Sequence, residues 1–265
     1  MSENKLVRFV LDEDYVIKDY IIEKVSRNFY GYLKEHNASY LINGLYVHSY
    51  EKGKSGDELV IIYEEDAQEG IPSYKDLEIC YENDNYLIIN KPPHLLTIPS
   101  TNEPNDSVYN RVLGMGYGCY IVNRLDKETS GLILIAKNKF ARIMLKDVTK
   151  KYMAITDKPL NPESGRIVAN IKKEDIGIKR FVSDEGQLAI TNYQLIRQEN
   201  DLFYYDINLE TGRTHQIRVH FAHLGSPLIN DELYGKNLGN NELGLICYFM
   251  EFVDPFLNNR ITKRI

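Results

Sequence analysis

No run of apolar residues in this 265-residue chain approaches the ~18 that a helix needs to span a bilayer. The opening Met1 to Asp14 carries acids where a secretory signal needs an apolar stretch, so the expected location is cytoplasmic and no membrane partner is expected. Cysteine is scarce. Cys80, Cys119 and Cys247 are scattered among apolar or aromatic neighbours, a pattern that suggests neither a disulfide framework nor a zinc knuckle and reads as three reduced structural thiols. No internal repeat and no low-complexity segment interrupts the sequence. An overall positive charge is lacking too: the net charge is −6 and the pI about 5.6, which over the whole chain argues against a polyanionic partner.

That average hides an uneven distribution. Residues 1–76 hold 9 Lys and Arg against 15 Asp and Glu, which leaves 23 of each in residues 77–265. Residues 124–151 carry eight bases against three acids, and Thr211 to His223 holds Arg213, Arg218 and three His with no acid. Solvated protein faces give single runs of this kind; two of them make a local polyanion-binding surface worth testing. With 43% hydrophobic residues, the chain can bury one large core or a small and a medium one.

The front third reads as a strand at Leu6–Leu11, a helix at about Tyr15–Val25 and a second helical piece at Asn28–His36. Tyr40-Leu41-Ile42, Asn43-Gly44 and Leu45-Tyr46-Val47 then form a hairpin pattern, because a two-residue turn needs positive φ at both central positions. A strand at Glu58–Tyr63 follows, and Gly70 and Pro72 mark Glu64–Ser73 as linker-like. Two short helices, then "LINGLYV" and "KSGDELVII", resemble the αL-type RNA-binding module, with only Lys18, Lys24, Arg27 and Lys34 as helix cations. The expected organisation is a small module over residues 1–66, a linker over 67–76 and a larger domain over 77–265.

From Leu77 the pattern is β-rich. A hairpin over 77–93 turns at Asn83-Asp84-Asn85, and strands are expected at Tyr120–Asn123, Leu132–Lys137, Lys151–Thr156, Leu188–Ile196, Leu202–Glu210 and, last, Leu245–Val253. Helices are expected at Ser107–Leu113, Lys139–Val148 and about Thr214–Leu224. Many strands, few helices and no βαβ alternation indicate an α+β fold on a mostly antiparallel sheet. Between the strands at Asn123 and Leu132 lies the polar connection Arg-Leu-Asp-Lys-Glu-Thr-Ser-Gly, and rigidly held loops of this kind often carry catalytic groups. Cations on both sides of Asp126 favour an ionised, nucleophilic carboxylate, although an Asp that merely caps a turn would look the same.

The segment "NRLDKETSGLILIAK" is similar to the RluA-type pseudouridine synthase signature His-Arg-Leu-Asp-x-x-Thr-Ser-Gly. In family order it is joined by "YENDNYLIINKPP", "KKYMAI" and "LETGRTHQIRVHFAHLGSPLINDELYG". Pro159 to Gly186 is the least typical stretch. The resemblance implies a pseudouridine synthase fold, a mostly antiparallel mixed sheet with flanking helices around a central RNA-binding cleft. It implies an isomerase that detaches uracil from ribose, rotates it and rejoins it through carbon, with no cofactor and no metal. It makes Asp126 the initiating carboxylate, Tyr152 the aromatic face under the uracil and an aid to the last proton loss, Arg218 the partner of Asp126, and Leu245 an apolar wall. Arg124 would fill the space left by the flipped base. Arg213 and Thr214, at a helix start that suits phosphate, join Asn123, Lys127, Lys151 and His215 as the expected RNA contacts. Capping of that helix by Thr214 is a second role for this residue.

Two positions depart from the family pattern. Asn123 replaces the usual His and keeps its hydrogen bonding without its capacity for charge, and Ile246 falls where Leu-His-Ala is common. A zinc site on His215, His220 and His223 is disfavoured, since only the last two share a helical face, and Ser130 lacks the flanking pattern of a hydrolase elbow. The leading expectation is a monomeric pseudouridine synthase acting on structured RNA, ribosomal RNA of the large subunit ahead of tRNA. The alternatives are an RNA-binding or ribosome-assembly protein with weak or lost catalysis, and a small-molecule enzyme with an Asp nucleophile.

Overall fold

A computed structural model describes residues 2–66, 68–236 and 242–265. The front third contains β1 (Ser2–Val10), β2 (Tyr15–Val16), α1 (Ile17–Lys24), α2 (Arg27–Glu35), β3 (Ser39–Ile42), β4 (Leu45–Val47), β5 (Lys52–Gly53) and β6 (Glu58–Asp66). Strands β1, β6, β3 and β4 pair antiparallel in that order, and β2 pairs with β5. The β3–β4 turn has Asn43 at φ 49° and Gly44 at φ 82°, the positive values that a tight hairpin requires. Helix α2 starts where Ser26 Oγ accepts the Phe29 amide at 3.1 Å, a side-chain N-cap.

The first residues of the linker-like stretch Glu64–Ser73 are instead strand. β6 continues to Asp66 because Glu65, buried, accepts the Tyr120 hydroxyl at 2.7 Å and the Lys139 amide at 2.9 Å. Burial raises its carboxyl above the usual range. Around this contact, Phe29 stacks on Phe140 at 4.1 Å and Phe9 meets Phe140 and Phe256 at 5.6 and 5.1 Å. One continuous apolar core therefore joins the small sheet to the rest of the chain. Of the helix cations, Lys24 is paired with Asp12 at 2.9 Å and the Lys34 ammonium sits over the Tyr30 ring.

The larger part contains β7 (Glu78–Glu82), β8 (Tyr86–Lys91), α3 (Val108–Gly114), β9 (Tyr120–Ile121), β10 (Ser130–Ala136), α4 (Lys139–Met144), β11 (Val148–Thr156), β12 (Ser164–Lys173), β13 (Arg180–Val182), β14 (Gln187–Glu199), β15 (Leu202–Leu209), α5 (Gln216–His223), β16 (Leu245–Asp254) and β17 (Asn259–Arg264). Its 11-stranded sheet runs β13-β12-β14-β15-β11-β16-β10-β8-β7, with β17 on β16 and β9 on β10. Every pairing is antiparallel except β10 with β16. The class is α+β, as the pattern from Leu77 onward implies.

Strands β12, β13 and β17 lie outside the sequence expectations. Burial alternates along both, yet β12 buries only Ile167 and Ile171, with the apolar Val168 exposed between them, and β17 only Ile261, so the apolar pattern in the sequence is too weak to read and their partners dictate their conformation. Helix α4 is shorter than expected, since the chain is already strand at Val148.

The parallel contact sets the site. Leu132 to Ala136 are fully buried in β10, while Gly131, at φ +110°, packs so close to Cys247 that a Cβ would lie 2.4 Å from its carbonyl oxygen. Gly131→Ala is expected to destabilise the fold by at least about 1–3 kcal/mol, the strain of one disfavoured backbone position, with the steric clash added. The denaturation midpoint of Gly56→Ala, at φ +88° in open space, isolates the backbone part. Equal shifts in the two variants would show that the clash is absent.

Candidate active site

The β9–β10 connection is pinned from three sides. Asn123 spends its amide on β10, donating to the Leu132 carbonyl at 3.2 Å and accepting the Leu134 amide at 2.9 Å. Thr97 Oγ1 donates to the Leu125 carbonyl at 2.7 Å and accepts the Leu125 amide at 3.1 Å. Lys91, fully buried at the end of β8, donates to the carbonyls of Pro92, Leu95 and Lys127 at 2.9 to 3.0 Å. All three of its donors are used. Burial pushes its ammonium down to about 8, so it is still charged at neutral pH. The Thr129 amide closes a turn onto the Asp126 carbonyl at 3.1 Å, leaving the Asp126 carboxylate, 28% exposed, directed into a cleft of about 910 Å³.

Tyr152 from β11 and Leu245 at the start of β16 lie on neighbouring strands and border the same cleft. Burial, then Cys247 and the nearby Asp126 charge, hold the Tyr152 phenol far above its ordinary range. In the free protein it is a protonated ring face rather than a base.

Helix α5 closes the other side. Arg218, 3% exposed, forms a two-point pair with the fully buried Asp231, Nε to Oδ2 at 2.8 Å and Nη2 to Oδ1 at 2.7 Å. Its remaining Nη1 stands 3.9 Å from Asp126 Oδ2. The expected Arg218–Asp126 pair is therefore the looser of two, and Asp231 is the main anchor. His215 Nε2 also lies 3.9 Å from Asp126 Oδ2, and its Nδ1 is 2.8 Å from the Tyr234 hydroxyl.

Every expected site residue except Lys151 borders the cleft. Successive strand residues face opposite sides; Lys151 pairs with Asp206 at 3.0 Å, while Lys150 enters the cleft lining in its place. Asn123 borders the cleft with its amide already committed to β10, so it holds the loop rather than offering a free RNA contact. Lys127 is tied to Glu103 at 2.5 Å. Thr214 does not cap α5: the helix begins at Gln216, whose Oε1 accepts the Arg213 amide and the Thr211 hydroxyl, both at 2.9 Å. His220 is buried against Thr191 at 2.9 Å and His223 is exposed, so the three His do not converge. Lys91, Asp231 and Tyr234 escape the sequence reading although each stands in a quoted segment, "NKPP" or "NDELYG". Arg180 has no such signal.

Residues 85–223 match the RNA pseudouridylate synthase family, and the chain is 34% identical over 232 residues to the uncharacterized RNA pseudouridine synthase YjbO of Bacillus subtilis, covering 81% of each chain. The chain belongs to this family. The synthase, an isomerase that converts uridine to pseudouridine in RNA, is also 37% identical over 211 residues to ribosomal large subunit pseudouridine synthase D of Buchnera aphidicola, covering 73% of this chain and 66% of that one. Its 39% identity to ribosomal large subunit pseudouridine synthase C of Rickettsia felis spans 171 residues, 60% of this chain and 56% of that one. The fold matches human RNA pseudouridylate synthase domain containing 1, with a TM-score of 0.59 at 20% identity over 75% of this chain and 86% of that one. These likenesses agree with the RluA-type resemblance and with the pseudouridine synthase fold.

Proposed function

We propose that this synthase modifies large-subunit ribosomal RNA, with Asp126 as the carboxylate that starts the reaction. The observation that carries the reading is the Asp126 carboxylate in the cleft, faced by Arg218 and His215, in a lining that also holds an aromatic wall, Tyr152, and an apolar one, Leu245. A detached uracil needs surfaces that hold it without fixing its orientation, and an aromatic face does so.

The cleft lining carries six cations, Arg124, Lys127, Lys150, Arg180, Arg213 and Arg218, against Asp126 and Glu210. A chain of net charge −6 thus concentrates positive charge where phosphates would lie. Arg124 is exposed two residues before Asp126, which supports a role in filling the gap left by a flipped base, a move that itself costs a few kcal/mol. The names of relatives C and D support a ribosomal substrate. Large-subunit RNA from a strain lacking the gene should miss at least one pseudouridine present in the parent, read by chemical mapping and restored by the wild-type gene. Loss of no site, or of sites confined to tRNA, would overturn the ribosomal assignment.

A further inference from the structure

His215 occupies a backbone position that most residues avoid, φ 58° and ψ 18° at the cap of α5. Such strain persists where the surroundings enforce it, commonly at functional sites. Its ring is almost enclosed, with 11% of the side chain exposed. Burial, the largest influence, lowers its pKa; Arg218 and Arg180 act in the same direction, while Asp126 and Asp231 oppose it. The ring is neutral at neutral pH, so one nitrogen donates and the other accepts.

The Tyr234 hydroxyl decides which. It accepts the Arg180 backbone N–H at 2.8 Å, and among the described residues its other hydrogen-bond partner is His215 Nδ1 at 2.8 Å. The Arg180 N–H cannot take the phenol's proton, and Nδ1 is the acceptor within reach of it, so the phenol donates to Nδ1. Burial raises the phenol's pKa above the ordinary value, so the hydroxyl keeps its proton at neutral pH. Nδ1 is then the acceptor and the ring proton resides on Nε2, the nitrogen that faces Asp126.

We infer that His215 is a positioning residue, locked by Tyr234 as the Nε2–H tautomer, which with Arg218 holds Asp126 Oδ2 so that Oδ1 alone remains free to act on the substrate. Both donors stand 3.9 Å from the same oxygen, and separations of this size commonly tighten when substrate binds. Differentiating the two carboxylate oxygens sets the direction from which Asp126 meets the ribose. The inference rests on the reading of Asp126 as the reacting carboxylate.

The test separates donor position from backbone fit. In His215→Gln the amide NH₂ reaches about as far as Nε2, on a side chain that tolerates the left-handed backbone poorly. In His215→Asn the backbone is well suited, but the NH₂ falls short. Single-turnover assays on ribosomal RNA from the gene-deleted strain should give His215→Asn a maximal rate about 10- to 100-fold below wild type, the worth of one hydrogen bond to a charged group. The half-saturating RNA concentration should change little, and His215→Gln should recover most of the rate. The ¹⁵N shifts of the folded wild-type protein should report Nδ1 unprotonated, and Tyr234→Phe should mix the tautomers. A His215→Asn variant as active as His215→Gln, or a protonated Nδ1 in the wild type, would overturn the inference. Asp126→Asn run alongside keeps the two readings apart. If it retains activity, the nucleophile is wrong; if it is inert while His215→Asn and His215→Gln turn over equally fast, only the role of His215 falls.

Discussion

Asp126→Asn is expected to abolish pseudouridine formation, lowering the single-turnover rate by about 10⁴-fold or more, the scale seen when a nucleophile that acts with its partners as one unit is removed. The substitution keeps the shape of the side chain and the turn in which the Thr129 amide bonds to the Asp126 carbonyl. The carboxylate's nearest partners, the Arg218 guanidinium and the neutral His215 ring, are both at 3.9 Å, so the fold loses little and the melting temperature should stay close to that of wild type. RNA affinity in filter-binding titrations should hold or rise, since one negative charge leaves a cationic cleft. This combination of lost turnover, kept stability and kept binding is specific to a reacting group. A residual rate within about tenfold of wild type, far above the loss expected for a nucleophile, would exclude Asp126 from that role.

The fold and the site differ in how much of them the sequence reveals. The Asn43-Gly44 hairpin and the apolar β10 are local, and local pattern is enough to read them. Asp126 stands out by its polar loop and flanking cations but is told from a turn-capping acid only by resemblance, and Tyr152, Arg218 and Leu245 emerge from resemblance alone; as isolated residues they are one Tyr among 20, a helix Arg and a buried Leu. Lys151 shows how strand geometry refines a sequence reading. If Tyr152 faces the cleft, its strand neighbour points away and Lys150 points toward it. Asn123 shows the reverse case, a polar residue at the edge of the site whose amide completes backbone pairing, which becomes apparent only when β10 is seen beside it. The choice of Arg218 between two carboxylates is illegible because Asp126 and Asp231 lie far apart in the chain, and only the packed structure puts both on one guanidinium.

That choice leads to the largest expected effect on stability. Asp231 is fully buried, pairs twice with Arg218, and also accepts the amides of Leu233 and Tyr234 at 3.0 and 3.1 Å. Asp231→Ala would strand a guanidinium that is 3% exposed and free two backbone donors. Breaking one side of a buried pair costs about 3–5 kcal/mol, which at roughly 2–4 °C per kcal/mol for a chain near this size lowers the melting temperature by about 6–20 °C. Turnover should fall with it, because Arg218 without its anchor can swing onto Asp126 or out of reach. The double variant Arg218→Met with Asp231→Leu tells the two consequences apart. Replacing a buried ion pair by apolar groups of similar volume is often nearly neutral, so the double variant should regain most of the stability and none of the activity. If it stayed as unstable as Asp231→Ala, the pair would be a structural strut. Recovery of the fold without turnover would mean instead that the chain keeps a desolvated charge pair beside the proposed reacting carboxylate for the geometry this imposes on Asp126.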